Sequence, residues 1–324
     1  MTNKPNSTSL RSAFGERLQE NVHLANYTTA HVGGPADGLL IAQSEDELAA
    51  IVSKLWGLKI PFRVLGTGAN ILVSDTGYRG VIVVNHAHTI KIDGHTNPPT
   101  VWAESGANIG TVARQCMLRG FSSLEWAGTI PGTLGGAIYG NAGAHGWDIS
   151  KHLVEVEVIT RSDGKQTWNG EKMGFSYRSS ALKKGQSDAV VLAARLTVAP
   201  GTREEVQAKM SEYSEIRRST QPPGASMGSM FKNPPNDKAG RLIESSGLKG
   251  FRIGGVEVSP IHANFFINTE SATATDFYRL IEHVRRVVKE KKGIELQLEI
   301  EFVGDWQNFH LVPSQGNFLM KATS

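Results

Sequence analysis

Apolar residues recur at helical spacing between Ser44 and Leu58, where Leu48, Ile51, Val52 and Leu55 share one face. Ser44, followed three residues later by Glu47, has the form of a reciprocal N-terminal cap, so an amphipathic helix lying on a sheet is expected. The next run, PFRVLGTGANILVSDTGYRGVIVVN, reads as strand, glycine loop, strand, a tight turn at Asp75-Thr76-Gly77, and a third strand rich in Val and Ile. A second helix is expected from Asn108 to Arg119, with Gly120 placed to close it in the left-handed conformation. VEVEVIT, a Ser162-Asp163-Gly164 turn and VVLAARLTV then restore strand patterning, so this region mixes helix and sheet.

A polar helix from Arg203 to Arg218 runs into Gln221-Pro222-Pro223-Gly224, a stretch with the composition of a domain boundary. Beyond it lie a helix from about Thr275 to Lys292 and the run IELQLEIEFV. There Ile294, Leu296, Leu298, Ile300 and Phe302 alternate with Glu295, Gln297, Glu299 and Glu301, which places all four polar residues on the solvent face of one strand. The chain thus divides into a loosely held polar arm (1–20), a mixed α/β unit (21–218), a compact α+β unit (219–305) and an irregular tail (306–324).

At 324 residues the chain exceeds what one core organises, consistent with that division. Its formal charge is only +3 and no long basic run is present, which argues against a nucleic-acid partner. The single cysteine, Cys116, falls in an apolar helical pattern and reads as a buried thiol, which suits a reducing compartment. No segment has the unbroken apolar length of a membrane helix and the N-terminus lacks a signal-peptide core, so a cytoplasmic protein without membrane insertion is expected. His86 and His88 stand at metal-ligand spacing, but no carboxylate or cysteine cluster accompanies them; a solvated strand end, and no metal, is expected.

The 35 glycines are clustered. GTGAN after a strand suggests the dinucleotide fingerprint, yet that motif needs a helix immediately afterwards, whereas Ile71, Leu72 and Val73 continue as strand. A strand-loop-strand cradle remains, in which backbone N–H groups of Gly66, Thr67, Gly68, Ala69 and Asn70 could hold phosphate; a tight connection explains this loop equally well. The second segment, AGTIPGTLGGAIYGNAGAHG, tips the balance. Gly128, Gly132, Gly135, Gly136, Gly140, Gly143 and Gly146 leave little side-chain surface, and two such loops in one unit suggest a long diphosphate-bearing cofactor.

These motifs, together with NYTTAHVGGPAD, FSYRSS, GSMFKNP, GLKGFRIGGVEVSPIHANFFIN and GIELQLEIEFVG in this order, make the chain resemble the bacterial UDP-N-acetylenolpyruvoylglucosamine reductases from about Tyr27 to Gly304. The resemblance implies an α+β fold: a two-lobed FAD-binding region of the vanillyl-alcohol oxidase/p-cresol methylhydroxylase type, followed by a C-terminal α+β substrate domain. It implies noncovalent FAD, since the first glycine loop has no histidine to tether it. FAD would contact Gly66 to Asn70 and Gly128, Ile130, Gly132, Thr133, Gly135 and Gly136. NADPH would be a cosubstrate sharing the cleft alternately with the UDP-sugar. The implied reaction converts UDP-N-acetylglucosamine enolpyruvate to UDP-N-acetylmuramate for peptidoglycan.

By motif position the resemblance makes Arg178 the cation facing a developing carboxylate charge, Ser229 the proton donor and Glu299 the partner of Arg178. Tyr177, Lys232 and Asn233 flank them as substrate contacts. On the residues alone, Arg178 is an ordinary surface arginine and Ser229 a turn residue. The short span between Arg178 and Ser229 resembles the family branch without an inserted tyrosine-bearing lid, and a monomer is expected. The rival readings are a flavin oxidase of the same fold, which would consume oxygen without NADPH, and a flavin- or nucleotide-binding protein without turnover.

Overall fold

Strands Pro35–Ala42 and Tyr78–Asn85 run parallel, with Leu39 opposite Ile82 and Leu40 opposite Val83. Phe62–Leu65 extends this sheet on one side in parallel, and Gln19–His23 on the other in antiparallel fashion. The central strands are continuous apolar runs because both faces of the sheet are covered. One face meets the helix Glu45–Gly57 through Leu48, Ile51, Val52 and Leu55; the other meets Leu24, Val73 and Val303. The computed structural model describes residues 7–306.

The cap of that helix differs in detail from the expected reciprocal one. Ser44 Oγ accepts from the Glu47 N–H at 3.2 Å, but the Glu47 carboxylate reaches past Ser44 and accepts from the Gln43 N–H at 2.8 Å, where Arg17 also lies 3.4 Å away. The described part of the N-terminal arm is docked. A helix spans Ser7–Phe14, and Leu10 is buried in the same core as Leu40 and Leu48.

The second lobe carries a five-stranded antiparallel sheet in the order Gly164–Trp168, Leu153–Thr160, Ala189–Thr197, Thr100–Glu104, Ile90–Asp93. Helices Ile109–Leu118 and Arg203–Thr220 pack with it around Trp126, Leu134 and Val156. Asn108 caps the first of these by accepting from the Thr111 N–H at 3.0 Å, and Gly120 has φ +73° beyond its end. Cys116 is fully buried there, and burial pushes its thiol up to about 12. The dense glycine segment, which reads as loop, contains a short helix, Leu134–Gly140, started by Thr133 Oγ1 accepting from the Gly136 N–H.

The C-terminal region has a three-stranded antiparallel sheet (Arg252–Ile253, Val256–Val258, Phe266–Asn268) beneath the helix Ala274–Lys292. The run 294–303 departs from expectation. Only Glu301–Val303 is strand, and it pairs in parallel with Ile71–Val73 of the first lobe, not within the C-terminal sheet. Leu298 forms a bridge with Phe231, after which Ile300 and Glu301 are both buried in succession. The period-two alternation therefore breaks at this point, and Glu301, expected in solvent, is 8% exposed. Trp306 is buried against Tyr278 and Phe302; the rest of the expected irregular tail, 307–324, lies outside the described residues.

Two carboxylates join the pieces by capping helices across their boundaries. Asp75, in the turn of the first lobe, accepts from the Ala274 and Thr275 N–H groups at 2.8 and 2.9 Å, closing the start of the long C-terminal helix. Glu104, on the second lobe, accepts from the Glu45 N–H at 2.9 Å and the Thr89 N–H at 2.7 Å. Orphan helix donors and the partial positive charge at a helix start make these anionic caps favourable.

Candidate active site

The two glycine loops meet where the lobes adjoin. A Cβ placed on Gly66 would lie 2.5 Å from Thr133 Oγ1, so the first loop lies directly against the second. Gly68 has φ +63°, and a Cβ there would stand 2.1 Å from the Tyr27 carbonyl oxygen. Protein contact thus accounts for both glycines of the first loop. The second segment divides differently. Gly128, Gly135 and Gly143 are pressed against Met210, Ser105 and Trp147, whereas a Cβ on Gly132 or Gly140 would meet nothing within 4 Å, and one on Gly136 only Thr133 Oγ1 at 3.7 Å. Backbone bare of side chains and facing open space is what close approach of a flat, extended cofactor requires, so this cradle fits a bound flavin dinucleotide.

Arg178 lies in a tight turn closed by reciprocal hydrogen bonds between the backbones of Ser176 and Ser179, both 3.0 Å. It occupies the second corner with φ +55°, a position that turn chemistry reserves for Gly or Asn. A β-carbon in that conformation is strained by roughly 1 kcal/mol or more, and such strain collects where a side chain must be aimed. The guanidinium is held by Nε donating to Glu299 Oε1 at 2.7 Å and Nη2 donating to the Gly143 carbonyl at 2.8 Å. Tyr177, at the other corner, is more than half exposed, and its ring lies 5.2 Å from the Arg178 guanidinium carbon.

Ser229 begins an extended segment, 229–232, threaded between two others. On one side Ser229 bridges Phe265 and the Met230 N–H donates to Asn264 O; on the other the Glu299 N–H donates to Met230 O at 2.9 Å and the Lys232 N–H to Gln297 O at 2.8 Å. Ser229 and Glu299, 70 positions apart in sequence, therefore lie on neighbouring chains. The Ser229 hydroxyl has no hydrogen-bond partner among the described residues. Lys232 is half-buried and its ammonium is pushed down from the ordinary lysine value, first by burial and then by nearby Lys183 and Arg178, against the opposing pull of Glu299 and Glu301. Asn233 has a structural task, its Oδ1 accepting from the Ala239 N–H at the start of a helix.

Beneath the Arg178–Glu299 pair lies a second set of charges. Glu301 meets Lys183 Nζ at 3.4 Å, Arg63 Nη2 at 3.4 Å and the Tyr139 hydroxyl at 3.3 Å. Burial, with Glu301 adding to it, pushes Tyr139 up to about 12. The Glu299 carbonyl accepts from Asn70 Nδ2 at 3.1 Å and from Lys183 Nζ at 3.5 Å. Asn70, expected to cradle phosphate, thus also ties the glycine loop to the chain that carries Glu299.

The model of the UDP-N-acetylenolpyruvoylglucosamine reductase C-terminal domain matches residues 220–303, and that of an FAD binding domain matches residues 36–170. The UDP-N-acetylenolpyruvoylglucosamine reductase of Caldanaerobacter subterraneus is 40% identical over 291 residues, covering 89% of this chain and 94% of its own. The chain belongs to this family. The enzyme of the same name from Streptococcus pneumoniae is also 40% identical, over 89% of this chain and 94% of its own. The crystal structure of the UDP-N-acetylenolpyruvylglucosamine reductase of Thermus caldophilus superposes with a TM-score of 0.75 at 33% identity, covering 89% of this chain and 99% of that one.

Of the residues singled out in the sequence, Arg178 and Glu299 are in contact, and Ser229, Lys232 and Glu299 lie on paired segments. Tyr177 flanks Arg178, whereas Asn233 serves a helix. Sequence reasoning missed Lys183, Glu301, Arg63 and Tyr139. Glu301 was hidden by an alternation that stops one residue before it, and Lys183, followed by Lys184, carries no local signal. Among the described residues no group of His, Cys, Asp and Glu is placed to hold a metal, and no helix is long and apolar enough to cross a membrane.

Proposed function

We propose that Arg178, Ser229 and Glu299 are the groups with which this reductase converts UDP-N-acetylglucosamine enolpyruvate to UDP-N-acetylmuramate; the 2.7 Å Arg178–Glu299 contact beside the Ser229 segment carries this reading. The chain is an FAD-dependent, NADPH-driven member of its family, and its flavin-binding region would have the vanillyl-alcohol oxidase type of fold that its glycine motifs imply by resemblance. When bound, FAD held along Gly132, Thr133 and Gly136 would supply the hydride, taken up from NADPH, for the terminal methylene carbon of the substrate's double bond. The electron pair of that bond then moves toward the neighbouring carbon and its carboxylate.

The protein's own groups meet that charge. The Arg178 fork, locked by Glu299 and Gly143, offers a fixed cation to the carboxylate as it takes on enolate character, at no reorganisation cost during the reaction. Ser229 Oγ–H donates its proton to the carbon bearing the ether oxygen, completing the lactyl ether. The alkoxide left behind is stabilised by surrounding cations and regains its proton from solvent. Lys232 and Tyr177 would contact the sugar and diphosphate; Gly132, Thr133 and Gly136 would lie along the flavin. Residues 219–305 would act as the substrate unit, without an inserted lid between Arg178 and Ser229, in a cytoplasmic monomer.

Ser229→Ala tests the assignment. The purified variant should keep its flavin absorbance and its reduction by NADPH, while turnover of the enolpyruvyl substrate falls by at least about 10²-fold, the usual scale of a lost general acid. Wild-type turnover by this variant would remove Ser229 from the mechanism.

A further inference from the structure

Lys183 is 4% exposed at its side chain, and its carboxylate partner Glu301 is 9% exposed. Burying such a pair is costly, and a pair that served only packing could be exchanged for apolar side chains with little loss. This one is attached to the functional segments at both ends. Lys183 follows Arg178 by five residues in the segment closed by Ser180, whose Oγ donates to Tyr139 O at 2.7 Å and accepts from the Lys183 N–H at 3.3 Å. Glu301 follows Glu299 by two residues. Two ionic contacts therefore join the same pair of segments, one partly exposed and one buried.

We propose that Lys183 and Glu301 are positioning residues for the Arg178–Glu299 pair: Lys183 Nζ spans the Glu301 carboxylate at 3.4 Å and the Glu299 carbonyl at 3.5 Å, and so holds the backbone of Glu299 against the Arg178 turn. Neither residue touches the reacting atoms. Glu301 in turn is anchored from the first lobe by Arg63 and from the second by Tyr139, so the position of Glu299 is referred to both lobes that enclose the glycine cradle. The arrangement also sets local charge. Arg63, Arg178, Lys183 and Lys232 face Glu299 and Glu301, leaving two positive charges in excess for a substrate that brings a carboxylate and gains enolate charge. The inference rests on the reading of Arg178 and Glu299 as reacting-centre groups.

The test compares Lys183→Met, which removes the cation, with Lys183→Arg, which keeps it, in the flavin-loaded enzyme. Rapid mixing follows flavin reduction by NADPH and flavin reoxidation by enolpyruvyl substrate separately. The expected result for Lys183→Met is unchanged flavin content, NADPH reduction within about twofold of wild type, and reoxidation at saturating substrate slowed about 10- to 100-fold, the scale of a misplacement near 1 Å. Lys183→Arg should recover reoxidation to within about fivefold.

Reoxidation of Lys183→Met within twofold of wild type, an equal fall in both half-reactions, or an arginine variant no better than the methionine one would each overturn the proposal. Should Lys183→Met not fold, the double variant Lys183→Met/Glu301→Gln removes both members of the pair and should show the same selective loss. Failure of both to fold, or normal reoxidation in the double variant, makes the pair structural and overturns the proposal as well. Normal turnover by Ser229→Ala would sink the underlying reading instead; a slow Ser229→Ala beside a normal Lys183→Met would sink this inference alone.

Discussion

The glycine cradle and the charged knot beneath Arg178 are built by opposite means. In the cradle, the shape comes from side chains that are absent: Gly132, Gly136 and Gly140 leave backbone facing open space, and Gly66 and Gly68 let neighbouring chains close in. In the knot, the arrangement comes from side chains supplied by distant segments, Arg63, Tyr139, Arg178, Lys183, Glu299 and Glu301, each held by its partner. The first kind of site is written as a local composition and fails by steric intrusion. The second is written nowhere locally and fails by loss of a partner.

The sharpest way to break the comparison lies within the cradle. Gly68→Ala must force a Cβ to 2.1 Å from a carbonyl oxygen at φ +63° and should cost more than about 4 kcal/mol, seen as loss of the cooperative thermal transition. Gly136→Ala, whose Cβ would meet only Thr133 Oγ1 at an ordinary 3.7 Å on a helical backbone, should fold at least as well as wild type yet bind FAD at least about tenfold more weakly in a fluorescence titration. Equal FAD affinity in that variant would show that the open face does not meet the cofactor.

The knot is probed next by Arg178→Lys, which keeps the charge but not a fork able to reach Glu299 and Gly143 together. Steady-state turnover should fall about 10²-fold, equivalent to about 2.7 kcal/mol. A fall of less than threefold would mean that charge alone suffices. Asp75→Ala removes a cap shared between units and should lower stability by about 1–2 kcal/mol in urea unfolding while leaving flavin content intact.

The smallest effect concerns Glu104. Burial, the largest influence on it, pushes its carboxyl up, but N–H donors from Thr89 and Glu45 together outweigh that and hold it below the ordinary glutamate value. A carboxyl with a lowered folded value contributes stability above its unfolded value, near about 4.3, and loses it as pH falls toward the folded one. Glu104→Gln should therefore cost about 1 kcal/mol at pH 7, and the difference from wild type should shrink below about pH 4. A difference constant with pH would refute the ionised cap.

Much of this molecule is legible along the chain because the determining contacts are local. The helix Glu45–Gly57 follows from Ser44 and its apolar face, the helix Ile109–Leu118 from Asn108 and Gly120, and the failure of GTGAN to open a helix from the strand residues Ile71 to Val73. The motifs around Arg178, Ser229 and Glu299 are local strings as well, so the candidate residues could be named in advance. The helix inside the glycine-rich segment escaped because its start rests on Thr133 Oγ1 while composition argued for loop.

What the sequence by itself determined is the helices and strands with local periods and caps, the two glycine-rich segments and the motifs that hold Arg178, Ser229 and Glu299, since each depends on residue type within a few positions. Only the tertiary structure decided that the segment after Ile300 leaves the C-terminal sheet to pair with Ile71–Val73 and buries Glu301 among Arg63, Tyr139 and Lys183. The reason is physical: the burial of an ionic side chain depends on which partners the fold brings to it, and those partners lie 118 to 238 positions away in the chain.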